Sequence, residues 1–318
     1  MFSKQQTATA NSKQQTANSK QQTANSKHYA FALSKTLLAS TLSFFTLAPL
    51  SAEDNGAFVE GGFEYSNVTG AMNINTTPTN DDGYTFRANI NKFPYDGNLF
   101  GADFQIGYKQ FFGNKKRFGL RYYGFFSGQG GNTSYQKQQF NNMGNPTYWA
   151  TINQPSANLF YGVGLDALLN FYEKKNRTFG MFVGVMIGGS SWLMGQSFYQ
   201  GQCMWKKYDS DGNLIACQTM NQYYSDRETQ TNKIGSGGKT TFSPTFVQFI
   251  VNIGFRTNLS KHQGFEVGVR IPTIDDPYYT VTNTAGGSKG FLPGGIGSKR
   301  VLTFRRTVGF FVNYVYNF

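Results

Sequence analysis

The chain has 318 residues, with 29 Lys+Arg against 17 Asp+Glu and a formal net charge of +12. That charge is scattered, and Lys115-Lys116-Arg117 is the longest Lys/Arg run, so no nucleic-acid partner is expected. Aromatic residues make up 17% and charged residues only 14%, a balance that suits a large uncharged wall better than a fully solvated surface.

Residues 1–27 form a low-complexity tract in which Ser-Lys-Gln-Gln-Thr-Ala recurs at Ser3, Ser12 and Ser19, and Ser26-Lys27 begins another copy. No apolar seam accompanies the repeat, so a coiled coil is excluded, and the tract cannot bury enough apolar surface to order itself. Residues 28–52 read as a secretory signal peptide: Lys35 supplies positive charge, Thr36 to Leu47 is a short apolar run, and Ala52 ends a small-residue site. Cleavage is expected after Ala52, with Leu50 an imperfect residue at the minus-three position. Losing 1–52 removes five Lys and no acid, leaving 24 bases against 17 acids, or +7. No other segment approaches the length of a membrane-spanning helix. Residues 53–318 are therefore expected to form one domain.

Eight segments of that domain alternate apolar and polar residues, at about 57–66, 101–112, 118–127, 157–172, 178–192, 244–258, 264–274 and 301–318. The second puts Phe104, Ile106 and Tyr108 on one face, with Asp103, Gln105 and Lys109 on the other. The sixth opposes Val247, Phe249, Val251, Ile253 and Phe255 to Gln248, Asn252 and Arg256. A period of two marks strands with one apolar face. Segments of about ten such residues are the pattern of an antiparallel transmembrane β-barrel, and the negative mean hydropathy of −0.42 agrees, because half of each strand is polar. In the last segment Phe310, Val312, Tyr314, Tyr316 and Phe318 take every second position and resemble the signal that bacterial barrel-assembly machinery reads.

The connections alternate in length. Residues 113–117, 173–177 and 259–263 are tight polar turns, whereas about 67–100, 128–156, 193–243 and 275–300 are long and rich in Gly, Asn, Ser and Thr. Short periplasmic turns and long extracellular loops are the outer-membrane arrangement. Eight strands then leave both ends on the short-turn side. A soluble β-sandwich has no reason to sort its loops this way.

Three stretches carry a family resemblance. Ala52-Glu53-Asp54-Asn55-Gly56-Ala57-Phe58-Val59, His262-Gln263-Gly264-Phe265-Glu266-Val267-Gly268-Val269-Arg270-Ile271-Pro272 and Phe311-Val312-Asn313-Tyr314-Val315-Tyr316-Asn317-Phe318 resemble the paralogous Helicobacter outer-membrane protein family of Hop and Hor type. The resemblance implies an outer-membrane barrel in a family with members described as adhesins or as porins. The large adhesins carry a long extracellular domain for which this chain has no room, so their receptor-binding residues are not transferred.

Parity puts Glu60, Glu64, Asp103, Asp166 and Glu266 inside the barrel with Lys109, Arg121, Arg256, Arg270 and Arg305. Eight strands enclose only enough space for side chains, so these charges are expected to pair as a plug; a narrow polar conduit is the alternative. Cys203 and Cys217, both in the longest loop, are expected to form a disulfide, since a metal pair would lack a third ligand nearby. Gly235-Ser236-Gly237-Gly238-Lys239-Thr240 resembles a phosphate loop, but Lys233 stands where the pattern needs Gly. His262 is the sole histidine beyond the signal segment and falls in a short turn, so no Ser–His pair can assemble at the loops. Asp81-Asp82 and Asp275-Asp276 are the remaining paired-carboxylate candidates, but adjacent loop acids are more often solvated turn formers, and no catalytic activity or cofactor is expected. Tyr148, Trp149, Trp205, Tyr208, Tyr223, Tyr224, Tyr278 and Tyr279 are candidate contact residues of the loops. Tyr and Trp suit recognition surfaces, but the same residues serve equally to pack loops together or to touch lipid headgroups. The expected partners are the bilayer, the assembly machinery and a host receptor or glycan, with a small porin as the rival role.

Overall fold

A strand whose alternate residues are apolar needs two different environments, and a sheet closed on itself supplies them. The computed structural model describes residues 55–318, apart from 82–83, 114–115, 142, 144, 175–176 and 234. The repeat tract, the signal segment and the cleavage site lie outside the described residues. The main strands are β1 (Gly56–Thr76), β2 (Asn89–Phe112), β3 (Phe118–Phe140), β4 (Pro146–Lys174), β5 (Arg177–Met194), β6 (Gly238–Phe242), β7 (Thr245–Asn258), β8 (Gln263–Pro272), β9 (Asp276–Asn283) and β10 (Lys299–Asn317). One α-helix, α1 (Met220–Thr231), lies between β5 and β6.

Antiparallel pairing runs β1-β2-β3-β4-β5-β7-β8-β10, and β10 pairs back onto β1, giving a closed ring of eight strands. Register pairs such as Phe112↔Phe118 and Asn258↔Gly264 close the tight turns at one end of the ring. Phe58↔Asn317 sets the first and last strands at that same end, called here the turn end. At the opposite, loop end, β9 continues β8 along β10, and β6 adds to β9.

The outward face is apolar around the ring. Phe104, Ile106, Val163, Leu165, Phe249, Val251, Phe310 and Val312 are all exposed, while the residues between them turn inward. Of the last segment's alternating residues, Phe310, Val312, Tyr314 and Tyr316 stand on this outer face, and Tyr316 meets the Phe318 ring edge-on with centroids 5.1 Å apart.

Two features differ from the sequence reading. First, the strands run far beyond the apolar segments. β3 and β4 pair from Phe118↔Leu169 up to Phe140↔Pro146, so most of the expected loop at 128–156 is a polar hairpin. Most of 67–100 likewise belongs to β1 and β2. Beyond the apolar belt both faces of a strand can be polar, and the alternation that marks a strand disappears.

Second, the register of β1 and β10 shifts: Asn67 faces Val308 but Val68 faces Arg306. Thr307 is the extra residue of a β-bulge, which reverses inside and outside for everything beyond it. Arg305, expected inside, therefore points outward and pairs with Asp275 at 3.2 Å, while Arg306 takes the interior place. A cysteine at position 305 is expected to react with a water-soluble maleimide in the folded protein, and one at 306 only after denaturation. Equal labelling at both positions would contradict the bulge.

Candidate functional site

Five buried acids and five buried bases meet inside the ring: Glu60, Glu64, Asp103, Asp166 and Glu266 against Lys109, Arg121, Arg256, Arg270 and Arg306. Arg121 is the hub. Its Nε and Nη2 donate to Asp166 Oδ2 at 2.9 and 2.6 Å, and its Nη1 donates to both Glu266 oxygens at 2.8 Å and to Glu60 Oε2 at 3.2 Å. Arg256 lies 3.8 Å from Glu266 and donates to Asn170 Oδ1 at 3.0 Å. Arg270 Nη1 donates to Asp103 Oδ2 at 2.5 Å and lies 3.4 Å from Glu64, which Arg306 reaches from the other side at 3.4 Å. Lys109 Nζ donates to Asn317 Oδ1 at 2.8 Å. Asn313 Nδ2 donates to Glu60 and Asp103, both at 2.7 Å, and so links the two halves.

Rings fill what the charges leave. The Arg270 guanidinium lies 3.8 Å from the Phe311 ring centroid and 4.6 Å from that of Phe125. Arg121 lies 4.8 Å from Phe182 and 5.3 Å from Tyr123. Gly164 and Gly184 make the room: a Cβ on Gly164 would strike the Tyr123 ring, and one on Gly184 would strike Asp166 Oδ1. Phe58, Tyr123, Phe125, Phe160, Met186, Ile250 and Val315 form one buried apolar cluster, and Phe111, Leu168, Phe182 and Phe311 a second. Periodicity locates these inward apolar residues, but a strand read only for polar-in alternation misses them.

At the loop end the filling becomes aromatic. Tyr95, Trp192, Trp205, Tyr224, Tyr278, Tyr279 and Phe304 share a buried core with Val68, Leu99, Leu292 and Leu302. Helix α1 seals it. Its start is a capping box, with Gln222 N donating to Thr219 Oγ1 at 3.1 Å and Thr219 N to Gln222 Oε1 at 3.0 Å. Asn221 then covers the end of β5, accepting from Met194 N at 2.7 Å and donating to the Trp192 carbonyl at 3.0 Å. Asn232, at the other end of α1, makes two 2.8 Å bonds to the backbone of Thr240 on β6. The Thr219…Gln222 spacing is a helix signal that sequence reading could have used.

Cys203 and Cys217 are joined in a disulfide. Two residues beyond Cys203, Trp205 is pinned from both sides: its Nε1 donates to Gln154 Oε1 at 2.7 Å, and its carbonyl accepts from Gln218 N at 2.8 Å. The crosslink thus sits on the segment that places Trp205 in the aromatic core. Beside it opens a cavity of about 580 Å³, walled by Tyr95, Tyr135, Trp149, Trp205, Tyr223 and Tyr224, among others. Burial pushes the Tyr224 hydroxyl well above its ordinary range, its Tyr223 and Tyr279 neighbours add to this, and Arg300 opposes it.

The candidate loop contacts divide. Tyr148, Trp149 and Tyr208 are exposed, and Tyr223 is half-buried at the cavity wall. Trp205, Tyr224, Tyr278 and Tyr279 are buried and pack loop against loop, with Trp205, Tyr224 and Tyr279 also presenting an edge to the cavity. Their ring contacts, such as Tyr224–Tyr279 at 4.3 Å and Tyr278–Phe304 at 5.3 Å, make the head a second core. In the glycine-rich segment, Lys239 and Thr240 lie on β6 without a parallel strand-to-helix setting. His262, at the turn end, meets the Asn317 carbonyl through Nδ1 at 2.8 Å.

Two predictions follow from this packing. Arg270→Ala leaves Asp103 and Glu64 short of a buried cation, which should cost about 3–5 kcal/mol. The folded form, read as the heat-modifiable gel band, is expected to be lost at a lower temperature than in the parent. Asp276, beyond the apolar belt, is buried with neither oxygen hydrogen-bonded among the described residues, and burial pushes its carboxyl up from 3.8 to about 7. The fold favours the protonated acid, so this group weakens stability as pH climbs from about 4, and the loss levels off above about 7. Asp276→Asn is expected to raise the melting temperature at pH 8 and to leave it unchanged at pH 4; equal gains at both would contradict this assignment.

No curated protein matches the sequence. Among solved structures, the chain is similar to the outer membrane protein OprG from Pseudomonas aeruginosa, with 13% identity, 83% of this chain and 96% of that chain covered, and a TM-score of 0.37. It is similar to Neisserial surface protein A with 9% identity, 81% and 99% covered, and a TM-score of 0.27. It is also similar to Ail, the attachment invasion locus protein of Yersinia pestis, with 9% identity, 81% and 98% covered, and a TM-score of 0.24. The sequence model described as "Helicobacter outer membrane protein" matches residues 103–318, about two thirds of the chain. The chain belongs to the Helicobacter outer membrane protein family, and its place is the bacterial outer membrane.

Proposed function

We propose that the chain is an eight-stranded transmembrane β-barrel with periplasmic short turns, whose loop end serves binding at the cell surface, host adhesion included. The outward apolar belt supports the membrane span. On β4 it runs from Tyr161 to Phe171, ten residue steps or roughly 33 Å of strand, and a tilt of about 40° brings that to about 25 Å of apolar band. The carrying observation is the contrast between the two halves of the interior. The turn half is filled by paired charges and rings, which disfavours conduction. The loop half is a built, crosslinked head with exposed aromatics beside a cavity. Catalysis is disfavoured as well, because the sole histidine of the described residues lies at the turn end, away from the head.

Refolded protein in planar bilayers is expected to give no reproducible conductance steps; regular steps would restore the porin reading. Bacteria lacking the chain are expected to attach less to host cells than the parent, with attachment restored by complementation. Unchanged attachment would remove the adhesive role. Impermeant labelling of intact cells at Tyr208→Cys, but not at Ser260→Cys, is expected if the loop end faces outward.

A further inference from the structure

The cavity of the loop end is chemically one-sided. Its wall combines a flat aromatic surface with three cations, Lys137, Arg227 and Arg300, and includes no Asp or Glu. The acids that neighbour Arg227 in sequence are engaged elsewhere. Asp226 accepts from Lys207 at 3.0 Å and from Gln218 at 2.6 Å, and Glu228 Oε1 accepts from the Phe242 N–H at 3.1 Å. Among the described residues, Arg227 itself reaches only a neutral oxygen, donating Nε and Nη2 to Tyr223 OH at 3.2 and 3.1 Å. Arg300, set on β10 between Val281 of β9 and Ile74 of β1, has a buried Nε with no hydrogen-bond partner among the described residues.

A guanidinium against aromatic walls, with no carboxylate partner among the described residues, is a group whose charge remains to be met. A planar fork of donors meets a carboxylate or sulfonate best. The rest of the wall is mainly ring and apolar surface, with Gln136 and Gln138 as its neutral polar side chains apart from the tyrosines, and the volume falls within the range of small-molecule sites. We propose that this cavity binds a small amphipathic anion, a flat apolar body bearing one carboxylate or sulfonate, with Arg300 and Arg227 holding the anionic head and Trp205 and Tyr224 stacking on the body. The proposal rests on the surface-binding reading only for the side of the membrane from which the ligand comes. Attachment of cells and ligand binding in vitro can therefore fail separately.

The test uses the full folded protein in lipid nanodiscs, titrated calorimetrically against empty nanodiscs, with 2-naphthoate as the probe and 2-naphthamide as its neutral counterpart. Saturable 2-naphthoate binding is expected, with the amide about tenfold weaker or more, the scale of one charge-assisted hydrogen bond. Arg300→Gln should weaken naphthoate by a similar factor and leave the amide unchanged. Arg227→Gln should act in the same direction, whereas Trp205→Leu should weaken both ligands. Unchanged amide binding shows that the Arg300 variant is folded. Equal affinity for acid and amide would overturn the anionic specificity, as would an unaltered naphthoate affinity in both arginine variants. Preference for glucuronate over naphthoate would overturn the apolar body.

Discussion

Closure is the constraint from which the rest of this structure follows. Once β10 pairs with β1, no strand edge remains along the ring, and every inward side chain must fit a space that eight strands make only one side chain deep. Inside it, charges have little water to fall back on. The ten buried charges of the turn half are consequently not a lining but a set of mutual partners. Arg121 contacts three carboxylates, and Asn313 ties Glu60 to Asp103 across the two arginine centres. Such pairing is not a large net source of stability, since desolvation offsets most of the attraction. Its effect is to make one arrangement far better than any slipped one.

The loop half meets the same constraint with different chemistry. Here β6 and β9 leave the simple ring path, and the interior is filled by aromatic side chains from the ring strands, from β9, from α1 and from the segment at the disulfide. Aromatic pairs contribute about 0.5–1.5 kcal/mol each beyond their buried area. A helix of twelve residues without an apolar stripe of its own is held by its cap, by Asn221 and by Tyr224 rather than by intrinsic preference. The disulfide acts at the same place, restraining the chain around Trp205.

How much of this was legible in the sequence depends on whether a residue's role is repeated along the chain. Val247, Phe249 and Val251 declare an outer face because lipid demands the same answer at every second position. The interior charges were legible by the same parity up to Thr307. One unpaired residue there moves Arg305 outside and Arg306 inside, and no composition or period signals a bulge. The polar extensions of β3 and β4 were illegible for another reason: beyond the belt neither face must be apolar, so strand and loop look alike. For Tyr224 and Tyr278 the sequence left surface contact and loop packing equally open, because their burial depends on partners brought from elsewhere in the chain. That is tertiary information, and a loop's composition does not carry it.

β10 shows how the two halves are coupled. From the turn end it sets Asn317 and Asn313 into the charge network while Tyr316, Tyr314, Val312 and Phe310 face outward. After the bulge the same strand turns Arg306 toward Glu64, Phe304 and Leu302 into the aromatic core, and Arg300 toward the cavity wall. If the same residues paired without the bulge, Arg305 and Thr303 would point inward, and Phe304 and Arg306 would face outward. Arg305 would then stand in for Arg306 one position away from Glu64, and the aromatic core would lose the ring that meets Tyr95, Trp192 and Tyr278. The bulge therefore lets one continuous strand serve lipid, charge, aromatic core and cavity in turn. A cavity whose walls are held this way needs little ordering when a partner arrives, which is where a pre-shaped site gains affinity.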